Sequence, residues 1–149
     1  MKIRFFLQAI ILGVIFMTIP VFAVDQVAPT PTLSELQGKW TGKIAFDDNK
    51  YGSTDATMGI DNKDVKIGRG TGITGTVTIK GKDITIIGTG NQGGNWEFNL
   101  QVFNDAGKTI LKGTLYVTGV GGKVMKGSRT GTASFEKDAS ATDNTPATK

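Results

Sequence analysis

Two residue types that carry much of protein chemistry are missing from this chain of 149 residues, which has no cysteine and no histidine. Without cysteine the chain forms no disulfide and offers no thiolate nucleophile, and without histidine it lacks an imidazole base and the usual donors of a zinc site. These absences exclude most familiar hydrolase and metalloenzyme sites. We therefore expect no catalytic residue, no bound metal and no cofactor, and the sequence predicts a protein that is not an enzyme.

The chain also carries little excess charge once its N-terminus is set aside. Of its 17 Lys and Arg residues, Lys2 and Arg4 lie in the first few positions, which leaves 15 basic residues against 13 acidic ones and a formal charge of +2. The remaining lysines are scattered through different segments, whereas a nucleic-acid site needs them on one face together with stacking aromatics. The sequence predicts no nucleic-acid partner.

Residues 1–23 have the pattern of a secretory signal peptide. Lys2 and Arg4 precede an apolar run over residues 5–17, and Val21-Phe22-Ala23 is typical of a cleavage site. We expect export to the periplasm or the extracellular space, and no stable membrane insertion after signal cleavage. The alternative is a retained membrane anchor, although a glutamine and a proline interrupt the apolar stretch.

The rest of the chain divides into three parts. Residues 24–33, with two of the four prolines, predict an extended linker, and residues 138–149 predict a disordered tail because they contain no large apolar side chain. Between them, residues 34–137 form the predicted β-barrel domain. Its length of about a hundred residues is enough for one hydrophobic core.

The dominant signal within 34–137 is an alternation of apolar and polar residues with a period of two, which is typical of strands with one buried face. From Leu36 to Phe46 the even positions are apolar or glycine and the odd ones are mostly polar. Seven further runs repeat this pattern, with inward positions that include Met58, Ile67, Val77, Ile86, Trp96, Phe98, Leu100, Leu115, Met125 and Phe135.

Short turns rich in Gly, Asn, Asp and Lys separate these runs and allow only antiparallel neighbours. No run shows the 3.6-residue apolar period of a helix. The sequence therefore predicts an all-β fold, an antiparallel up-and-down meander of about eight strands closed into a small barrel. Closure would remove the exposed edge strands that invite aggregation.

Six glycines fall on the predicted inward face, at positions 38, 42, 75, 113, 127 and 131. They fill no volume, so two interpretations remain open at this point. Either they permit the sharp coiling of a small barrel, or they leave a cavity inside it.

The first and last predicted strands resemble those of a known group of barrels. Leu36-Gln37-Gly38-Lys39-Trp40-Thr41-Gly42 resembles the Gly-x-Trp opening strand of lipocalins, avidins and related calycin-type barrels. The segment Gly131-Thr132-Ala133-Ser134-Phe135-Glu136-Lys137 is similar to their last strand, in which a terminal basic side chain covers the tryptophan. The resemblance implies a calycin-like fold and the binding of a small ligand. It also implies that Lys137 reaches Trp40, a cation–π contact worth about 0.5 to 1 kcal/mol when exposed.

Arg129 is the most informative single residue, because strict alternation places its charge on the inward face between two glycines. A buried cation must be paired. One hypothesis is that Arg129 anchors the head group of an anionic ligand while Trp40, Trp96 and Phe98 contact its apolar body. The alternative is a β-bulge at a flanking glycine that turns Arg129 outward.

We therefore expect an exported, non-enzymatic barrel that binds a small apolar or amphipathic ligand, hydrophobic or anionic. The alternative is a structural or protein-interaction β domain of the cell envelope or secretome with no internal ligand. A cavity of roughly a few hundred Å³ favours the first function, and an interior filled by side chains favours the second. An outer-membrane barrel is less consistent with the sequence, because the aromatics form no pair of girdles.

Overall fold

The computed structural model describes residues 26–27, 29–48, 52–68, 72–119 and 127–139. The predicted signal peptide, Met125 and most of the predicted C-terminal tail lie outside the described residues. Within these ranges, no helix is both long enough and apolar enough to cross a membrane.

The described residues form nine strands and one short helix. In chain order these elements are β1 (Gln26–Val27), α1 (Leu33–Leu36), β2 (Gly38–Phe46), β3 (Ser53–Asp61), β4 (Asp64–Gly68), β5 (Ile73–Lys80), β6 (Asp83–Gly90), β7 (Asn95–Asp105), β8 (Lys108–Thr118) and β9 (Arg129–Lys137).

Strands β2 to β9 make an antiparallel meander in which each strand pairs with the next one along the chain. The first and last of these strands also pair, from Trp40 with Lys137 to Phe46 with Gly131, and this pairing closes the barrel. The all-β fold, the eight-stranded meander and the closure predicted from the alternation are confirmed.

The strands are strongly staggered around the barrel. Successive register partners lead from Gly38 on β2 through six intervening strands to Arg129 on β9. Since β2 and β9 are antiparallel and Gly131 pairs with Phe46, Arg129 lies level with Asp48. A path around the barrel that starts at position 38 therefore returns to the same strand direction at position 48. Eight strands with such stagger enclose an interior that side chains can fill.

The two ends of the barrel differ. The helix end carries α1 and the three tight turns at 62–63, 81–82 and 106–107. The loop end carries the other four connections between barrel strands. Three of those connections contain residues outside the described ranges.

The core is a single lining formed by the inward side chains of all eight barrel strands and by Leu36 of α1. Trp40 and Phe135 are both wholly buried, so the opening and closing strands face the same interior as predicted. Among the described residues no polar or charged residue is buried within this core. The interior of the described barrel is therefore apolar and occupied by side chains.

Four inward glycines lie where neighbouring strands come unusually close. A Cβ atom added to Gly42 would lie 1.9 Å from the Ser134 carbonyl oxygen, and one added to Gly75, Gly113 or Gly131 would also overlap the backbone of the adjacent strand. The sequence left two interpretations open, a sharply coiled barrel or an internal cavity. At these four positions the close approach of the strands supports the sharply coiled barrel. The missing side chains are replaced by backbone from the next strand, and no void remains there.

Helix α1 corrects the sequence prediction at one place, because Leu36 ends a helix and the first barrel strand begins at Gly38. The helix begins with a capping box: the Glu35 backbone N–H donates to Thr32 Oγ1 at 3.4 Å, and the Thr32 N–H donates to Glu35 Oε2 at 2.6 Å. Such reciprocal bonds satisfy donors that a helix start leaves free. A helix of four residues is too short to show a 3.6-residue apolar period, which is why the alternation assigned Leu36 to the first strand.

The chain before α1 also contacts the barrel. Gln26 and Val27 pair with Asn104 and Phe103 at the helix-end extension of β7, and Pro31 is buried. Part of the segment predicted as a linker therefore runs along the barrel wall.

Candidate functional site

The structure places the four predicted site residues at opposite ends of the barrel. Trp40 lies at the helix end, whereas Trp96 and Arg129 lie at the loop end. There Trp96 pairs with Val117 of β8, and Val117 in turn pairs with Arg129 of β9. Phe98 is the next inward residue after Trp96 on β7. Three of the four residues therefore come together, and Trp40 belongs to a different cluster.

Trp40 joins the helix to the barrel. Its indole Nε1 donates to the Leu36 carbonyl at 3.0 Å, and the Lys137 ammonium lies 5.6 Å from the centre of its ring. The same Nζ atom donates to the Glu35 carbonyl at 2.6 Å. The contact of Lys137 with Trp40 that the family resemblance implies is thus confirmed. Both side chains hold carbonyl groups at the end of α1, which gives them a structural role.

Glu35, in the same cluster, is a titratable group whose pKa is lowered by its neighbours. Hydrogen bonds from the Thr32 backbone N–H, first, and from the Thr32 hydroxyl hold the pKa of Glu35 below its ordinary value of 4.5, and the positive charge of Lys137 adds to this lowering. A group whose pKa is lower in the folded state stabilises the fold above its unfolded pKa and loses that contribution as the pH falls through the folded pKa.

We expect Glu35→Gln to flatten the low-pH part of the stability profile. The wild-type protein should exceed the variant in melting temperature at about pH 7, and the difference should shrink toward about pH 3 as Glu35 becomes protonated. Thermal unfolding followed by circular dichroism across this range measures the effect. Thr32→Ala, which removes the hydroxyl donor, should shift the profile in the same direction. A difference that stays constant with pH would contradict the assignment.

An aromatic cluster fills the loop end of the barrel. The Trp96 ring stacks on the Phe98 ring with 6.1 Å between centres and 15° between planes. The Phe46 ring lies 6.1 Å from the centre of the Trp96 ring, with 60° between the planes. Trp96 is 3% exposed and Phe98 is wholly buried, so these rings are packed against one another rather than lining an open pocket.

Arg129 is the first residue of β9, and the paired register with β8 runs without a bulge from Arg129 to Glu136. Its side chain keeps the inward position, is 15% exposed and forms an ion pair with Asp48. The Oδ1 atom of Asp48 is buried and has no hydrogen-bond partner. A cation is therefore held at the loop-end rim, with a carboxylate of the same chain beside it.

The two glutamates of the barrel strands have partners on the outer face. Glu97 Oε1 accepts a hydrogen bond from Asn99 at 2.9 Å, and Glu136 forms an ion pair with Lys108 at 2.9 Å. The hydrogen bond that Lys108 donates to Glu136, together with the negative charge of that carboxylate, raises the pKa of Lys108 above its ordinary value of 10.5. No group of three or more acidic side chains that could hold a metal ion occurs in the described ranges.

Two features of the exterior were not found by sequence reasoning. The first is a cleft of about 480 Å³ at the helix end, between the Pro29–Pro31 segment with α1 and the wall at Val102, Asn104 and Lys137. The second, which we name the outer-face groove, is about 630 Å³ and crosses β6, β7 and β8. Its lining includes Asp83, Thr85, Asn99, Gln101, Phe103, Lys112 and Thr114. A signal for it exists, since outward positions of β7 carry amides where a plain solvated face carries mostly Lys and Glu.

The architecture, an eight-stranded antiparallel meander closed by pairing of its first and last strands, is consistent with calycin-like barrels in general. Its Gly-x-Trp strand and the terminal lysine over the tryptophan lie where that resemblance implies. In comparisons with known proteins, no family model, no curated protein and no solved structure matches the chain.

Proposed function

We propose that this protein is an exported, non-enzymatic β-barrel that acts as a binding or interaction domain through its outer surface. One observation carries the proposal: the inward apolar side chains of all eight barrel strands pack into a single cluster, in which the large rings of Trp40, Phe98 and Phe135 are wholly buried. Export is supported by the signal-peptide pattern of residues 1–23, and the lack of enzymatic activity by the absence of cysteine and histidine.

The glycines support the same proposal. At Gly42, Gly75, Gly113 and Gly131 the space that a side chain would occupy contains backbone atoms of the adjacent strand. A ligand inside the barrel would have to displace packed rings or separate paired strands. The exterior offers two open clefts, of about 480 and 630 Å³.

A second candidate function is the binding of a small hydrophobic or anionic ligand at the loop end, as in the lipocalin or avidin type of barrel. The inward position of Arg129, at the same end of the barrel as the stacked rings of Trp96 and Phe98, favours it. An anionic head group would take the place of the Asp48 carboxylate at the guanidinium, because Arg129 can bind a carboxylate with two parallel N–H bonds.

Native mass spectrometry of the protein purified from its own host tests the two candidates. The outer-surface proposal expects the mass of the processed polypeptide alone. It also expects no fluorescence increase with anilinonaphthalene sulfonate, a hydrophobic anion, in either the wild-type protein or Arg129→Ala. A co-purifying small molecule, or probe binding that Arg129→Ala abolishes, would overturn it in favour of the loop-end site.

A further inference from the structure

The outer-face groove crosses the barrel wall at a place where β7 and β8 lie close together. Gly113 on β8 lies so close to β7 that an added Cβ would be 1.9 Å from the Asn99 carbonyl oxygen. Gly113 and its register partner Leu100 both line the groove. The outward side chains of β6, β7 and β8 therefore flank a concave strip of wall, of about 630 Å³.

Two hydrogen bonds between β6 and β7, and one within β7, orient the polar side chains of this groove. The Thr85 hydroxyl donates to Asn99 Oδ1 at 3.2 Å, and Asn99 Nδ2 donates to Glu97 Oε1 at 2.9 Å. In the same way Gln101 Nε2 donates to Asp83 Oδ1 at 3.0 Å. An amide group has two N–H donors and two acceptor lone pairs, and a carboxylate accepts at both oxygens. Each member of these chains therefore keeps capacity for a ligand while its orientation is already fixed.

Aromatic rings lie at both ends of this polar strip. Phe103 lines one end, with Lys112 Nζ 5.6 Å from its ring centre. Tyr116, 42% exposed, lies on the same face of β8 two residues beyond Thr114, a separation of about 7 Å along a strand. An exposed tyrosine offers an apolar face for stacking and a hydroxyl for hydrogen bonding.

The charge and polarity of the groove select among ligand classes. The positive charges of Lys80 and Lys112 are balanced by Asp83 in the groove and by Glu97 next to the groove. The groove therefore lacks the excess positive charge that binding of a nucleic acid requires. The large apolar side chains exposed among the described residues are Ile87 and Tyr116, which is too little for the apolar centre of a protein interface or a lipid site. Paired amides and carboxylates next to the exposed ring of Tyr116 match a neutral, polyhydroxylated ligand.

We propose that the outer-face groove binds neutral oligosaccharides. Asn99, Gln101 and Asp83 form hydrogen bonds with adjacent sugar hydroxyls, and Tyr116 packs against the C–H face of a sugar ring. This inference rests on the proposed outer-surface function and names its ligand class.

Nitrogen-15 NMR titration of the protein tests the inference with four probes: cellotetraose, maltotetraose, mannotetraose and tetra-N-acetylchitotetraose. At least one of them should shift the backbone amides of residues 83–85, 99–101 and 112–116. Asn99→Ala and Gln101→Ala should each weaken that binding about tenfold, the effect of losing one well-placed hydrogen bond. Gln37→Ala, which removes an exposed amide at the helix end, and Thr57→Ala, on the outer face of β3, serve as controls and should leave the affinity unchanged.

Absence of groove shifts with all four saccharides at about 10 mM, where even complexes with millimolar Kd are populated, would overturn the inference. Shifts confined to the loop end, or equal losses in the control variants, would overturn it as well. These results would disprove saccharide binding without disproving the outer-surface function. The outer-surface function fails instead if native mass spectrometry shows a small molecule retained by the protein. A bare polypeptide that binds no saccharide would leave an outer-surface protein with a different partner.

Discussion

Gly42→Ala is expected to lower the free energy of unfolding by about 3 kcal/mol, at the upper end of the usual cost of overpacking. The new Cβ would lie 1.9 Å from the Ser134 carbonyl oxygen and 2.6 Å from the Phe135 Cα, and both are backbone atoms of β9. No side chain can rotate away to make room. The strands that close the barrel would have to separate, which weakens the pairing of β2 with β9.

Gly59→Ala provides the matched control for this experiment. Gly59 lies on the neighbouring strand β3, and an added Cβ meets no atom within 4 Å. We expect this variant to match the wild-type protein or to be slightly more stable, because alanine restricts the unfolded chain more than glycine does. Urea denaturation of both variants measures the difference. Equal stability of Gly42→Ala and Gly59→Ala would contradict the role assigned to close strand approach at the seam.

Trp40→Ala is expected to cost about 3 to 5 kcal/mol, the range for truncation of a buried aromatic residue. Trp40 is wholly buried, its indole N–H bonds to the Leu36 carbonyl, and Lys137 lies over its ring. Removal leaves a cavity under α1 and an unpaired carbonyl. Tyr116→Ala, at the exposed aromatic of β8, should change the stability by less than about 1 kcal/mol, and the denaturation midpoints of the two variants should differ accordingly.

Trp40→Phe separates the hydrogen bond from the packing, and it remains informative if Trp40→Ala does not fold. Phenylalanine retains much of the ring volume but cannot donate to Leu36. We expect a loss of about 1 to 3 kcal/mol from the buried carbonyl left without its partner. Amide hydrogen exchange at residues 36 and 37 should increase more than exchange in β6. Wild-type stability in Trp40→Phe would show that the indole N–H does not hold the helix.

The architecture and one of its contacts were predictable from the sequence for a simple physical reason. A strand places alternate residues on opposite faces, so the positions of Trp40 and Phe135 in their runs indicated one shared lining before any coordinates were known. Antiparallel pairing of the first and last strands brings the end of one beside the start of the other. The contact of Lys137 with Trp40 follows from that pairing together with the family resemblance, and its 5.6 Å distance agrees.

The candidate sites were less predictable, because they depend on residues far apart in the chain. The partner of Arg129 is Asp48, which comes level with it only through the stagger accumulated over a full circuit of the barrel. The grouping of Trp96 with Phe98 and Arg129, and the separation of Trp40 from them, depend on which end of the barrel each strand reaches. Alternation gives the face of a residue but not its height along the barrel axis.

Local periodicity and turn chemistry are enough to predict the all-β class, the antiparallel meander and the division into inward and outward side chains. Tertiary packing set the role of the inward glycines in close strand approach, because that role depends on the distance to the next strand's backbone. It likewise decided that four residues before β2 form a capped helix over Trp40, and that amides from β7 meet side chains of β6 in an outer groove. Such contacts arise from register and coiling, which no single strand's pattern contains.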